Sequence, residues 1–557
     1  MNVQGKYCVI RAQVPPNFRI SLEGEDSSNI TETELKINAT ESAAGAKSQR
    51  VAVSLRLGVC VPRACAAHAL LPARFNHSLE FCRLPADKPY AAIDYVALFI
   101  LLLLGLLTVV STTYELHHMY ILKKEPERWH EWLCTFSLHR NTRLLTVAPG
   151  GLPCLHGIRA LSVLWIIMLH SSLQLRHHSV NEKDISENVS SEQRYLGVAA
   201  GHLAVDSFFV LSGLLLVYTS AGKTESLSLR NLPRFYLIRY VRLFPLLAAA
   251  VLLRAAEPRV TDGPTAVDRA QEPVRCRKYW WSALLHVQNI VNPREMCLGH
   301  SWYLSVDMQL YVVSALLLCA AGRRVWPALG AAALASTAAA LAFCFYYNFH
   351  DTTSDLPRNW SLESTTVYWT WYYYNPIVRS PPFFIGMLLG YSLYILKTEK
   401  LHLPKWSIWL CYSGALMLSL LVMLADHPGM RAFFHEHQAA RNAKLALYRS
   451  CWALALGWLI FACTQGYGGP VNWFLSLGLW RYVARVSYAM YLFSNILQEE
   501  PDATGGVNYY DMHTLLWRFS GDAAAAVVLS TALIVLVEAP LHTLLAPLLK
   551  PRTTQKS

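Results

Sequence analysis

The sequence predicts an all-α polytopic membrane protein of about eleven transmembrane helices, preceded by a small cysteine-containing extracellular or lumenal segment. Two observations carry this expectation. The 557 residues are 54% hydrophobic with 17 Trp, and their mean hydropathy is positive, outside the habit of a soluble globular chain. Runs long enough to span a bilayer recur near 92–113, 155–174, 201–220, 236–254, 302–321, 325–347, 380–396, 406–425, 447–465, 480–498 and 522–546.

Taken in order, residues 1–90 form the extramembrane domain. Its middle, Glu23 to Gln49, is polar, rich in Ser and Thr and without hydrophobic period, which reads as a mobile glycosylated loop. The opening MNVQGKYCVI lacks the basic and apolar regions of a signal peptide, so a start further upstream is expected. Residues 91–150 supply the first span and a linker, 151–546 the main membrane domain, and 547–557 a cytoplasmic tail.

The second run, LHGIRALSVLWIIMLH, places Arg159 and His170 inside one apolar segment, where an ionisable side chain is costly unless it is paired or used. Eleven residues at roughly 100° each return His170 to within about 20° of Arg159, roughly 16 Å away along the axis. Both therefore face the same interior. The third run holds Asp206, the fourth Arg239 and Arg242, the fifth Asp307 and the last Glu538. Counting rise from the helix ends places His170, Asp206 and Asp307 in the outer half of the bilayer, and Arg159, Arg239, Arg242 and Glu538 in the cytoplasmic half. Two polar layers of opposite sign are expected.

Orientation rests on glycosylation sequons and loop charge. Asn29, Asn38, Asn76, Asn188 and Asn359 all fall outside if the N-terminus is outside. The connections then placed in the cytoplasm carry Lys123, Lys124, Arg140, Arg143, Lys223, Arg230, Arg234, Arg323, Arg324, Lys397, Lys400 and Lys405. Arg275, Arg277 and Lys278 lie in an outside loop, so charge alone does not fix orientation. The net charge of +12 reads as membrane topology, and no aromatic-basic pattern points to nucleic acid.

Cysteine usage follows the same division. Cys8, Cys60, Cys65, Cys82, Cys276 and Cys297 lie outside and suffice for three disulfides. Cys134, Cys154, Cys319, Cys344, Cys411, Cys451 and Cys463 read as small apolar packing residues, and no metal site is expected.

The segments GIRALSVLWIIMLH, DSFFVLSGLLLVY, RYVRLFP, HSWYLSVDMQLY, SPPFFIGMLLGY and RVSYAMYLF follow one another in a series that resembles the acyltransferase-3 membrane family, specifically its nose-resistant-to-fluoxetine branch of animals. Tyr7–Cys8 and the CVPRAC segment, Cys60 to Cys65, resemble that branch's cysteine-rich outer domain. The resemblance implies acyl transfer from a cytoplasmic donor, usually acyl-CoA, to a hydroxyl or amine. It matches the family's basic residue and histidine to Arg159 and His170, its FFxxSG element to Phe208, Phe209, Ser212 and Gly213, and its next basic motif to Arg239 and Arg242. Two positions depart: His156 stands where an acidic residue is usual, and Ser494 where a histidine often ends its motif.

Joined to the resemblance, the two layers suggest a division of labour. Arg159, Arg239 and Arg242 hold the donor's phosphates, arginine being suited to bidentate phosphate contacts. His170 acts as general base on the acceptor, oriented by Asp206 or Asp307; which of the two is left open. Ser212 reads as a small-residue helix contact. The aromatic run Tyr368 to Asn375 reads as an interfacial belt or as a platform for the acceptor. The partners expected are membrane lipids, acyl-CoA and a lipid or small-molecule acceptor, not a protein N-terminus, in plasma membrane or endoplasmic reticulum. A non-catalytic lipid or drug carrier on the same scaffold is the alternative.

Overall fold

The computed structural model describes residues 5–14, 53–62, 76–83, 91–123, 132–146, 151–177, 179, 181, 195–221, 229–256, 271–349, 367–398, 401–425, 427, 430, 433–434, 436–503 and 509–549. The chain divides into two units, Met1–Tyr90 with Pro258–Ala270 and Ala503–Gly505, and Ala91–Glu257 with Gln271–Asp502 and Gly506–Ser557.

The first unit contains three strands, β1 (Gly5–Val14), β2 (Val53–Pro62) and β3 (Asn76–Arg83), in an antiparallel sheet ordered β2-β1-β3. Its register sets Tyr7 opposite Cys60 and Cys8 opposite Cys82, with an irregularity between Val9 and Ile10. The sheet goes beyond the sequence expectation, although β2 carries the signal: Val53, Leu55, Leu57, Val59 and Val61 alternate with Ser54, Arg56, Gly58 and Cys60. The Glu23–Gln49 loop, Cys65 and the sequons at Asn29, Asn38, Asn188 and Asn359 lie outside the described residues, as do the side chains of Cys8, Cys60, Cys82 and Asn76.

The second unit is helical. Its helices are α1 (Ala92–Leu116), α2 (Leu138–Thr146), α3 (Cys154–His177), α4 (Leu203–Ser220), α5 (Leu232–Ala255), α6 (Gln271–Leu284) and α7 (Trp302–Ala321). They continue with α8 (Val325–Tyr347), α9 (Pro376–Ile395), α10 (Lys405–Leu424), α11 (Gln438–Gln465), α12 (Gly478–Ala503), α13 (Met512–Leu533) and α14 (Ala539–Leu549). Among the described residues, nine helices are long and apolar enough to cross a membrane. The other two expected runs fall on α9 and α12, helices of 20 and 26 residues that carry Arg379 and the pair Arg481 and Arg485.

Local sequence explains several boundaries. Asn375 caps α9 by accepting from the Ile377 N–H at 2.8 Å, with Pro376 in the first helical position. Asp511 caps α13 through the Thr514 N–H at 2.6 Å. Between α13 and α14 the backbone widens into a π turn, Ile534–Glu538, just before Pro540, whose missing N–H removes a regular helical bond.

Helix α4 forms the centre: 72% of its apolar stretch is buried, against 6% for the peripheral α10. It packs closely on α9 because glycines line the seam. A Cβ at Gly213 would collide with the Phe383 backbone, at Gly386 with Val210, and at Gly390 with Leu214. Gly213 therefore makes the close contact that was expected of Ser212.

Candidate active site

His170 lies in the second half of α3, half-buried, with Nδ1 enclosed and without a hydrogen-bond partner. Its neighbour Ser171 bonds to Asp522 of α13 at 2.6 Å and accepts from Gln498 of α12 at 2.8 Å. These bonds fix the rotation of α3. His300, in the turn leading into α7, stands within electrostatic reach of His170. His300 Nε2 lies 3.0 Å from the Leu492 carbonyl and Nδ1 3.4 Å from the Asn495 amide nitrogen. A carbonyl only accepts, so Nε2 bears the hydrogen and Nδ1 accepts. Asn495 also donates to Glu499 at 2.9 Å, and Glu499 pairs with Arg254, which pairs in turn with Glu272.

The two carboxylates expected beside His170 are engaged elsewhere. Asp206 takes the Arg379 guanidinium at 3.1 Å, both side chains being fully buried. Asp307 is ion-paired with Arg239, which also donates to Ser212 Oγ at 3.0 Å and lies 4.1 Å from the centre of the Tyr311 ring. Among the described residues no hydrogen bond or ion pair joins either carboxylate to His170. Each carboxylate is engaged with an arginine: a carboxylate in an apolar interior takes the opposite charge within reach, and arginines on α9 and α5 supply it. Arg239, expected in the cytoplasmic half, is paired with Asp307, expected in the outer half.

The Arg159 end of the bundle is basic. Arg159 is half-buried, within electrostatic reach of Arg242, His156 and Tyr303. Arg242 and Arg485 both act on Glu538, and Arg481 acts on His156. Arg242, Arg481 and Arg485 are exposed, so a cationic patch lies near Arg159, with Glu538 as a carboxylate among the arginines. Tyr303 joins the two regions, lying within reach of Arg159, Arg239, Asp307 and Tyr491, with its ring 4.7 Å from that of Phe209. The Tyr491 hydroxyl donates to the backbone carbonyl of His300. From His170 and His300, the interior polar groups thus continue through Tyr491 and Tyr303 to Asp307 and Arg239, then to Arg159.

Arg379, Arg449, Arg254, His300, Arg481 and Arg485 are additions to the residues singled out from sequence. Arg254 and Arg449 are ionisable groups within apolar runs, the same signal that marked Arg159, while Arg379 stands one residue before the run 380–396. The carboxylate partners of Arg379 and Arg254 are distant in sequence and legible only in the fold, whereas Arg449 donates to the adjacent Tyr448 hydroxyl at 2.9 Å and lies over the Tyr372 ring. Ser494, one of the departures noted above, is buried with its hydroxyl unpartnered. The aromatic run before α9 divides. Tyr368 and Tyr372 are buried, with Tyr372 donating to the Leu445 carbonyl at 2.9 Å, whereas Trp369 and Trp371 stay exposed. A belt describes only the tryptophans.

Cys276 and Cys297 are joined in a disulfide. Cys134, Cys154, Cys344 and Cys463 are buried, while Cys411 is exposed on α10. Among the described residues no group of His, Cys, Asp and Glu could hold a metal ion.

The acyltransferase-3 family, described as an acyltransferase domain, matches residues 152–539. Nose resistant to fluoxetine protein 6 of Caenorhabditis elegans is 25% identical over 501 residues, covering 80% of this chain and 60% of the relative. Regulator of hypoxia-inducible factor 1 of the same organism is 26% identical over 282 residues, covering 46% of this chain and 54% of that protein. A putative O-acetyltransferase of Staphylococcus aureus is 23% identical over 170 residues, covering 30% of this chain and 24% of its own length. The chain thus spans less than two thirds of each of these relatives. No solved structure matches. With the family match extending from before α3 to the π turn at Glu538, this chain belongs to the acyltransferase-3 family of membrane proteins.

Proposed function

We propose that the protein is an integral membrane acyltransferase that moves an acyl group from acyl-CoA to a hydroxyl or amine of a lipid or small-molecule acceptor. The observation that carries this reading is the unpartnered Nδ1 of His170, on the same helix and the same interior as Arg159, with a cationic patch at the far end. Arg159, Arg242, Arg481 and Arg485 hold the donor's phosphates, and the acyl chain enters the bundle toward Tyr303. His170 takes the proton from the acceptor as its oxygen or nitrogen attacks the thioester carbonyl. The carbon–sulfur bond breaks, and the departing thiolate takes the proton back from the imidazolium, releasing CoA. His300 and its chain through Asn495 and Glu499 position His170. Asp307 acts through Arg239 to set that arginine and Tyr303, and Asp206 with Arg379 fixes α4 against α9.

The orientation proposed puts the His170 end outside. The Cys276–Cys297 disulfide, in the connection between α5 and α7 at that end, favours an oxidising compartment there. The putative O-acetyltransferase relative supports transfer to oxygen. The carrier reading retains one specific support, the serine at position 494 with its buried, unpartnered hydroxyl.

The test is release of free thiol by purified protein supplied with a panel of acyl-CoAs and membrane lipid extract, comparing wild type with His170→Ala. Turnover in the wild type and its loss in a variant that still binds donor is the expected result. Donor binding without thiol release in either protein would favour the carrier.

A further inference from the structure

Arg449, near the middle of α11, is fully buried and takes no part in the proposed transfer. Its Nε donates to the Tyr448 hydroxyl at 2.9 Å, and its guanidinium lies 4.7 Å from the centre of the Tyr372 ring and 5.2 Å from that of Tyr448. The Tyr372 ring is held in place by its own bond to the Leu445 carbonyl. Arg449 Nη1 and Nη2 have no hydrogen-bond partner, and among the described residues Arg449 makes no ion pair. Those two nitrogens form the rigid fork with which arginine grips an anion.

Two more buried charges stand beside it. Asp206 of α4 is within electrostatic reach of Arg449 but is joined through Oδ1 to Arg379 of α9. Tyr373 lies within reach of all three, with its ring 4.5 Å from the Arg379 guanidinium. Asp206, Arg379 and Arg449 therefore form one cluster where α4, α9 and α11 meet. Two guanidinium charges there face one carboxylate. The aromatic faces offset part of the excess, but stacking does not neutralise a buried charge.

The hydrogen-bond count is uneven in the same direction. The cluster atoms without a partner are Arg449 Nη1 and Nη2, Arg379 Nη2 and Asp206 Oδ2, three donors against one acceptor. Water donates as well as accepts, so it suits the lone Oδ2 but leaves the surplus charge. A group that only accepts and carries one negative charge answers both imbalances. Asp206, Arg379, Arg449 and Tyr372 are each 0% exposed, an enclosure that favours an ion of one or a few atoms over a carboxylate on a chain.

We propose that the Asp206–Arg379–Arg449 cluster binds a chloride-sized anion at the Arg449 fork, tying α11 to α4 and α9. This holds whether or not the protein transfers acyl groups. The test uses the purified full chain in neutral detergent, exchanged into gluconate salt and titrated with chloride or bromide at constant ionic strength. The thermal unfolding midpoint should rise saturably with either halide, because an ion bound only to the folded chain stabilises it by mass action. Arg449→Lys keeps the charge without the fork and should weaken halide affinity about ten-fold, and Arg449→Gln should abolish the dependence. If neither variant folds, crystals of the wild type soaked in bromide carry the test, with an anomalous peak expected beside the Arg449 guanidinium. A midpoint indifferent to halide, a rise of equal size in Arg449→Gln, or crystals without that peak would overturn the proposal.

Discussion

At the scale of single residues, the buried carboxylates Asp206 and Asp307 are paired with arginines, while the imidazoles of His170 and His286 keep ring nitrogens without a partner among the described residues. Asp206 and Arg379 are both fully buried and joined at 3.1 Å. Arg379 also donates to the Tyr373 carbonyl at 3.0 Å and stacks over the Trp302 and Tyr373 rings. Removing one member strands the other charge, so Arg379→Gln should cost about 3–5 kcal/mol. Adding Asp206→Asn should restore much of that loss. Thermal unfolding of the three purified variants in one detergent checks this, and additive losses would contradict it. His170, by contrast, makes no hydrogen bond at Nδ1 and stabilises little, so His170→Ala should unfold near the wild-type midpoint. Arg159 and His170 were legible in sequence because an apolar run exposes every charge within it. The pairing of Asp206 with Arg379, 173 positions apart, was not, because side-chain reach and helix order decide it.

At the scale of elements, small residues govern how closely the helices approach. The α4–α9 seam has room for hydrogen only at Gly213, Gly386 and Gly390. Gly386→Ala should therefore lower stability by about 1–3 kcal/mol through displaced backbone. Gly414→Ala, on α10 with nothing within 4 Å of the new Cβ, should be neutral or mildly stabilising. The same unfolding assay separates the two, and equal effects would refute the close-packing account. The sequence showed where helices run, since span length and hydropathy are local properties. It showed less of their partners: the motif around Ser212 and Gly213 suggested a contact, but only the fold reveals that glycine meets α9 while serine receives Arg239. In the N-terminal unit the alternation of β2 from Val53 to Val61 was present, but its partner β1 lies on the far side of residues 15–52 in sequence.

At the scale of the whole molecule, the two ends of the bundle differ. Exposed Arg242, Arg481 and Arg485 gather at one, and His170 with His300 at the other, with Tyr303 and Tyr491 between. This separation predicts separable kinetics. Arg481→Glu or Arg485→Glu should raise the KM for acyl-CoA about ten-fold with little change in kcat, by loss of a charged contact to phosphate. The KM of the wild type should also rise with salt, and that of the variants rise less. His170→Ala should instead lower kcat by about 10²–10⁴-fold with donor affinity retained. The measurement that bears most directly on acyl transfer through this interior follows a ¹³C-labelled acyl group from acyl-CoA into membrane lipids and small acceptors by mass spectrometry, using proteoliposomes of wild type and His170→Ala. The account predicts labelled acceptor and an equal amount of free CoA with the wild type, and neither with the variant. Labelled acceptor formed equally by both proteins, or bound acyl-CoA that stays intact with the wild type, would contradict it.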